Sequence, residues 1–248
     1  MKMSRFLMVL SVALLIAEIT IAGEIQYVGS STVGQFMTEA AKVYKWSTFN
    51  INTKPESSGG EDAAAAGRTD LGGVARELNQ SVLDRGVKKF LIGKDAIGIL
   101  VHPSNPVSEL SIKQLAGIFT GSITNWKDVG GIDSDIDVYI VNPRSATRKV
   151  FSKAVLRGIK YGGKRIRTIR PDPKILEEVA KNPAGIGQLS FSFIGKAKVK
   201  RISLMDKRPL STIRIIPLRG ICILLQKENP KGKLRNSLIG RFLMKVRK

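Results

Sequence analysis

Three times along this 248-residue chain a short extended run ends in a hydroxyl-rich stretch, and helical periodicity begins just beyond it. The stretches are Ser30-Ser31-Thr32, Ser57-Ser58-Gly59-Gly60 and Ser145-Ala146-Thr147-Arg148. A helix N-terminus carries unpaired backbone N–H groups and the positive end of the helix dipole, so Ser, Thr and Gly there can build a site for a small oxyanion. Any one of them is equally an ordinary N-cap. Three in one chain point to a shared anion. The same order of strand, turn and helix constrains the fold to the α/β class with largely parallel sheets.

The rest of the chain repeats that alternation. Residues 24–28 read as a strand, after which Val33, Phe36, Met37, Ala40 and Tyr44 recur at helical spacing. Residues 49–53 are extended, 61–67 form an alanine-rich helix closed by Gly67, and 70–76 a buried strand. The apolar run 96–102 ends at Pro103, with Pro106 close behind, and reads as a crossover between two lobes. Helices follow at 111–119, after Ser145 and at 173–181, with strands at 138–141 and 185–190. The tail carries extended segments at 199–204 and 213–225 and a basic helix near 234–246.

Composition excludes several functions. Residues 1–23 have the layout of a secretory signal: Lys2 and Arg5, an apolar run over 6–16, then small residues at Ala22-Gly23. The run is shorter than the ~20 residues that span a bilayer, so cleavage and export to the periplasm are expected. A single cysteine, Cys222, leaves no intramolecular disulfide and no thiolate cluster, and it reads as a buried strand residue. With His102 the only histidine and no G-x-S-x-G elbow, neither a Ser-His-Asp triad, a metal site nor a cofactor is expected, and the chain reads as a non-enzyme. The formal net charge is +21. Every charged residue in 144–170 is Lys or Arg, and 227–248 holds one acid, Glu228. Such a field speeds the capture of anions, but aromatic residues are sparse in these runs, with Phe151, Tyr161 and Phe242 too few for the interleaved stacking that bases need, so nucleic acid is not the expected partner.

With these residues laid out, the chain resembles the phosphate-binding proteins of ABC transporters, the two-lobed (type II) periplasmic solute-binding proteins, across nearly all of residues 24–243. The matching motifs are Val28-Gly29-Ser30-Ser31-Thr32-Val33, Ser57-Ser58-Gly59-Gly60, Asp70-Leu71-Gly72 with Arg76, His102-Pro103-Ser104-Asn105-Pro106-Val107, Thr120-Gly121-Ser122-Ile123-Thr124-Asn125-Trp126-Lys127-Asp128-Val129, Ser145-Ala146-Thr147-Arg148 with Phe151, and Gly185-Ile186-Gly187. The resemblance implies an α/β fold with a ligand cleft between lobes. Residues 24–103 plus 197–248 would form lobe one, and 104–196 lobe two. It implies that inorganic phosphate is captured there, by a monomer, for delivery to the permease subunits of an ABC transporter. Carried over by position, Ser31, Thr32 and Val33 would form the first binding loop, Ser58 and Gly59 the second, and Ser145, Ala146 and Thr147 the third, with Arg76, Arg144 and Arg148 supplying charge.

Two positions depart from the family pattern. Val141 stands where many members carry an arginine, so Arg144 or Arg148 would supply that charge. Ala75 stands where an Asp or Ser often accepts a proton from the bound phosphate, leaving Glu61, Asp62 or Asp70 for that role. The remaining readings are a module for another tetrahedral oxyanion, a sensor, and an envelope-associated binding protein without a transport role.

Overall fold

The computed structural model describes residues 23–195, 198–205 and 218–227. The expected signal over residues 1–22, the start of the 213–225 segment and the basic helix near 234–246 lie outside the described residues.

The first half of the chain builds parallel strands joined by helices. Strand β1 (Ile25–Gly29) pairs in parallel with β2 (Phe49–Asn52) on one side and β3 (Leu71–Val74) on the other. Helix α1 (Ser31–Val43) connects β1 to β2, and helix α2 (Glu56–Ala65) connects β2 to β3. Ile25, Tyr27, Val33, Met37, Leu71 and Leu224 form the core beneath them. The α2 helix lies directly on the strands because Gly60 has no side chain: a Cβ there would stand 2.5 Å from the Gly73 carbonyl oxygen and 2.9 Å from the Gly29 Cα. It begins at Glu56, earlier than the alanine-rich run alone predicts, so the second hydroxyl stretch is its opening turn rather than a loop before it.

A short helix α3 (Gln80–Leu83) leads into β4 (Val87–Val101), which runs through both halves of the sheet. Sequence periodicity starts this strand only at Ala96. Its first half is a ribbon with β11 (Leu218–Lys227), antiparallel and open to water, so Lys88, Lys89 and Lys94 interrupt the apolar pattern. From Ile97 to Val101 both faces are covered and every residue is buried. There β4 pairs antiparallel with β8 (Gly185–Ser190).

In the second half, β6 (Asp137–Ile140) pairs in parallel with β7 (Ile166–Thr168) and β8. Helix α4 (Ile112–Thr120) opens on a capping box of Ser111 and Gln114 and ends at Gly121 in the left-handed conformation. Leu115, Phe119, Trp126, Phe151 and Ile186 form the core on one face, while Tyr139, Val141, Ile175 and Leu189 form that on the other. Two short strands, β9 (Lys200–Arg201) and β10 (Ser203–Met205), pair with the end of β4 and with β5 (Glu109–Ser111). The full order is β2-β1-β3-β11-β4-β8-β6-β7. The sheet is mixed rather than largely parallel, because β4 and β11 cross it antiparallel to their neighbours. The result is an α/β fold in two halves, with β4 and β11 at the middle of the sheet.

Candidate functional site

The first hydroxyl loop is the N-terminus of α1. Ser30 is its N-cap, with Oγ 3.5 Å from the Val33 N–H, and its carbonyl accepts from the Tyr27 hydroxyl at 2.7 Å. Ser31, Thr32 and Val33 are buried in the first turn. A carboxyl group already sits there. The Ser31 N–H and Oγ both donate to Glu56 Oε2, at 3.2 and 3.3 Å. Glu56 reaches that position because its backbone takes φ of 56°, a left-handed conformation uncommon outside glycine, which turns its side chain inward until 4% remains exposed.

The second loop lies beside it. The Ser57 Oγ accepts from the Ala75 N–H at 3.3 Å, tying the start of α2 to the end of β3. Ser58 faces the other lobe: its N–H and Oγ donate to the Arg144 carbonyl at 3.4 Å each, and its Oγ accepts from the Lys149 Nζ at 3.0 Å. Gly59 follows within the same turn. Arg76 is buried close by in a bidentate pair with Glu61, Nη1 to Oε1 at 2.5 Å and Nη2 to Oε2. Its Nε is buried without a hydrogen-bond partner among the described residues. Asp70 accepts the Gln26 N–H at 2.9 Å and serves the strand framework.

The third loop follows β6, in the second half of the sheet, and opens helix α5 (Ala146–Phe151). Ser145, Ala146 and Thr147 are buried, and Ala146 packs into the lobe-one core with Tyr27, Val33 and Ala75. Arg144 extends into solvent. Arg148 turns back: its Nη1 donates to the Val141 carbonyl at 3.0 Å and its guanidinium covers the Tyr161 ring at 4.7 Å. Val141 itself is fully buried, so that position packs the core while its carbonyl anchors Arg148. Behind the loop opens a groove of about 890 Å³, lined by Arg148, Lys149, Lys153, Arg157, Lys160 and Tyr161.

A second buried acid completes the junction. Asp172, 2% exposed, accepts the Asn142 N–H at 3.0 Å and lies beside Ser145, Arg148 and Arg170. Burial raises its pKa above the usual carboxylate value. Burial and the nearby Asp172 push Glu56 up to about 8, against the opposing hydrogen bonds from Ser31. Tyr27 is likewise raised by burial and by Glu56. Residues from all three loops thus meet across the lobes. Glu56 and Asp172 carry no motif that sequence reasoning could have caught: one depends on a backbone conformation, the other on contacts between distant segments.

A sequence profile described as a PBP superfamily domain matches residues 17–232. The chain belongs to the PBP superfamily. It is similar to the phosphate-binding protein PstS 2 of Streptococcus agalactiae, 33% identical over 111 residues, 44% of this chain and 38% of that protein. It is also similar to the phosphate-binding protein PstS of Bacillus subtilis, 25% identical over 195 residues, 76% of this chain and 64% of that protein. The match therefore spans between about two fifths and two thirds of the length of these two relatives. Among solved structures, a Clostridium perfringens protein described as a phosphate ABC transporter substrate-binding protein with bound phosphate superposes with a TM-score of 0.77. It is 25% identical, and the superposition covers 91% of this chain and 93% of that one. The PstS-like character and the two-lobed fold rest on these likenesses together.

Proposed function

We propose that this protein is exported to the periplasm, where it captures inorganic phosphate between its lobes and delivers it to the permease subunits of an ABC transporter, acting as a monomeric binding protein and not as an enzyme. The observation that carries this reading is the convergence of three hydroxyl loops from both lobes on one junction. Ser31, Thr32 and Val33, Ser58 and Gly59, and Ser145, Ala146 and Thr147 bring backbone and hydroxyl donors there, with Arg76, Arg144 and Arg148 around them. Backbone and hydroxyl donors of this kind hold an oxyanion through charge-assisted hydrogen bonds. The partnerless Nε of Arg76 offers one more buried donor beside the second loop. Lobe one would comprise residues 24–103 plus the return from 197, and lobe two 104–196. Opening about β4 and β11 would admit the anion, and closure would complete its shell. The names and phosphate-bound state of the relatives support phosphate over other tetrahedral oxyanions.

Calorimetric titration with phosphate, sulfate and tungstate tests the reading. Saturable binding of one phosphate per chain, weaker with the other two, is expected. Absence of heat with all three would sink it.

A further inference from the structure

The first loop's best donors are not vacant. Glu56 Oε2 holds both the Ser31 N–H and the Ser31 hydroxyl, at the end of α1 where an incoming anion would be placed. The side chain is buried, and the left-handed backbone at residue 56 directs it inward. Among the described residues, the titratable groups facing it are Tyr27 from β1 and Asp172 from the short helix Asp172–Lys174. Ser31 and the N-terminal end of α1 supply its hydrogen bonds, while Arg148 and Arg170 stand beside Asp172.

We propose that Glu56 sets the affinity of the anion site: its carboxyl group occupies the Ser31 donors in the ligand-free protein, and phosphate takes them over only when that carboxyl is protonated. The inference rests on the phosphate reading above. An ionised Glu56 competes with the anion twice, by holding the same donors through charge-assisted bonds and by repelling a second negative charge in a buried place. A neutral Glu56 loses both advantages and can itself donate to a phosphate oxygen. Burial beside Asp172 places the change near pH 8, so the site is receptive at neutral pH and closes to phosphate as the solution becomes alkaline.

The test is calorimetry of the full chain with inorganic phosphate at pH 6.5 and 9.5, comparing wild type, Glu56→Gln and Glu56→Gly. Glutamine reproduces the neutral form, and glycine suits the left-handed backbone. Phosphate's own ionisation is common to all three proteins and cancels in their ratios. The wild-type Kd should match that of Glu56→Gln at pH 6.5 and be weaker by about 30-fold at pH 9.5, as a group titrating near 8 requires. Glu56→Gly should bind more tightly than wild type at pH 9.5. Binding by all three with a ratio that does not change with pH overturns this inference alone. No phosphate binding by any of them at either pH overturns the phosphate reading and this inference with it.

Discussion

The two helix ends that face each other across the lobes each have a buried carboxyl group beside them, and they hold it differently. At the third loop, Asp172 is fixed by the Asn142 N–H and flanked by Arg148 and Arg170, so its charge is answered within its own lobe. At the first loop, the hydrogen bonds that hold Glu56 among the described residues come from Ser31, and Asp172 stands opposite it. The acid of lobe two is a structural clamp. The acid of lobe one is an occupant that can be exchanged, because what holds it are the same donors an oxyanion would use.

The same contrast separates the arginines. In lobe one Arg76 is buried and neutralised by Glu61, whereas in lobe two Arg148 stacks on Tyr161 and Arg144 is exposed. Glu61→Ala should therefore give the largest effect, since it leaves a buried guanidinium unpaired. A loss of about 3–5 kcal/mol in urea unfolding is expected, while replacing both partners by methionine should be nearly neutral. An equal loss in the double variant would mean that the pair itself stabilises lobe one.

Next in size is the stability cost of Glu56. Its folded pKa lies above the ordinary value of 4.5, so between about pH 4.5 and about 8 the unfolded chain releases a proton that the folded chain keeps. Stability then falls as pH rises through that window and levels off above it. Relative to Glu56→Gln, the wild type should lose about 4 kcal/mol across the window in parallel denaturant titrations. Parallel curves for the two proteins would remove the distinction between the two acids.

The third loop gives smaller effects. Arg148→Ala should weaken phosphate binding by about 1.5–3 kcal/mol, because the guanidinium braces the Val141 carbonyl under the loop and offsets Asp172. Arg144→Ala should change affinity by less than about 1 kcal/mol, and that change should vanish at high salt, as expected of an exposed charge. If Arg144 proves the stronger of the two in calorimetry, the charge that acts on the anion is the exposed one.

Much of this arrangement could be read in the sequence, and what could not has identifiable causes. Periodicity located β1, α1, β3, α4 and β8 within a few residues, because their apolar faces are buried regularly. It missed the first half of β4, where a water-exposed ribbon tolerates Lys88, Lys89 and Lys94. The hydroxyl stretches were visible as anion-loop candidates, yet Ser57 and Ser58 proved to lie inside α2. That helix could start early only because Glu56 accepts a left-handed backbone and Gly60 lets the helix touch the sheet. No sequence rule assigns such a conformation to a glutamate. Asp172 was hidden for another reason: its partners Asn142 and Ser145 lie far from it in the chain.

The central claim is that one phosphate is held by loops of both lobes. A crystal structure of the full chain with inorganic phosphate tests it most directly. The account predicts an anion between α1 and α5, with oxygens about 3 Å from donors of Ser31 and of the Ser145 loop and with Glu56 displaced from Ser31. Phosphate found only in the basic groove of Lys153, Arg157 and Lys160, with the Ser31 to Glu56 bonds intact, would contradict it.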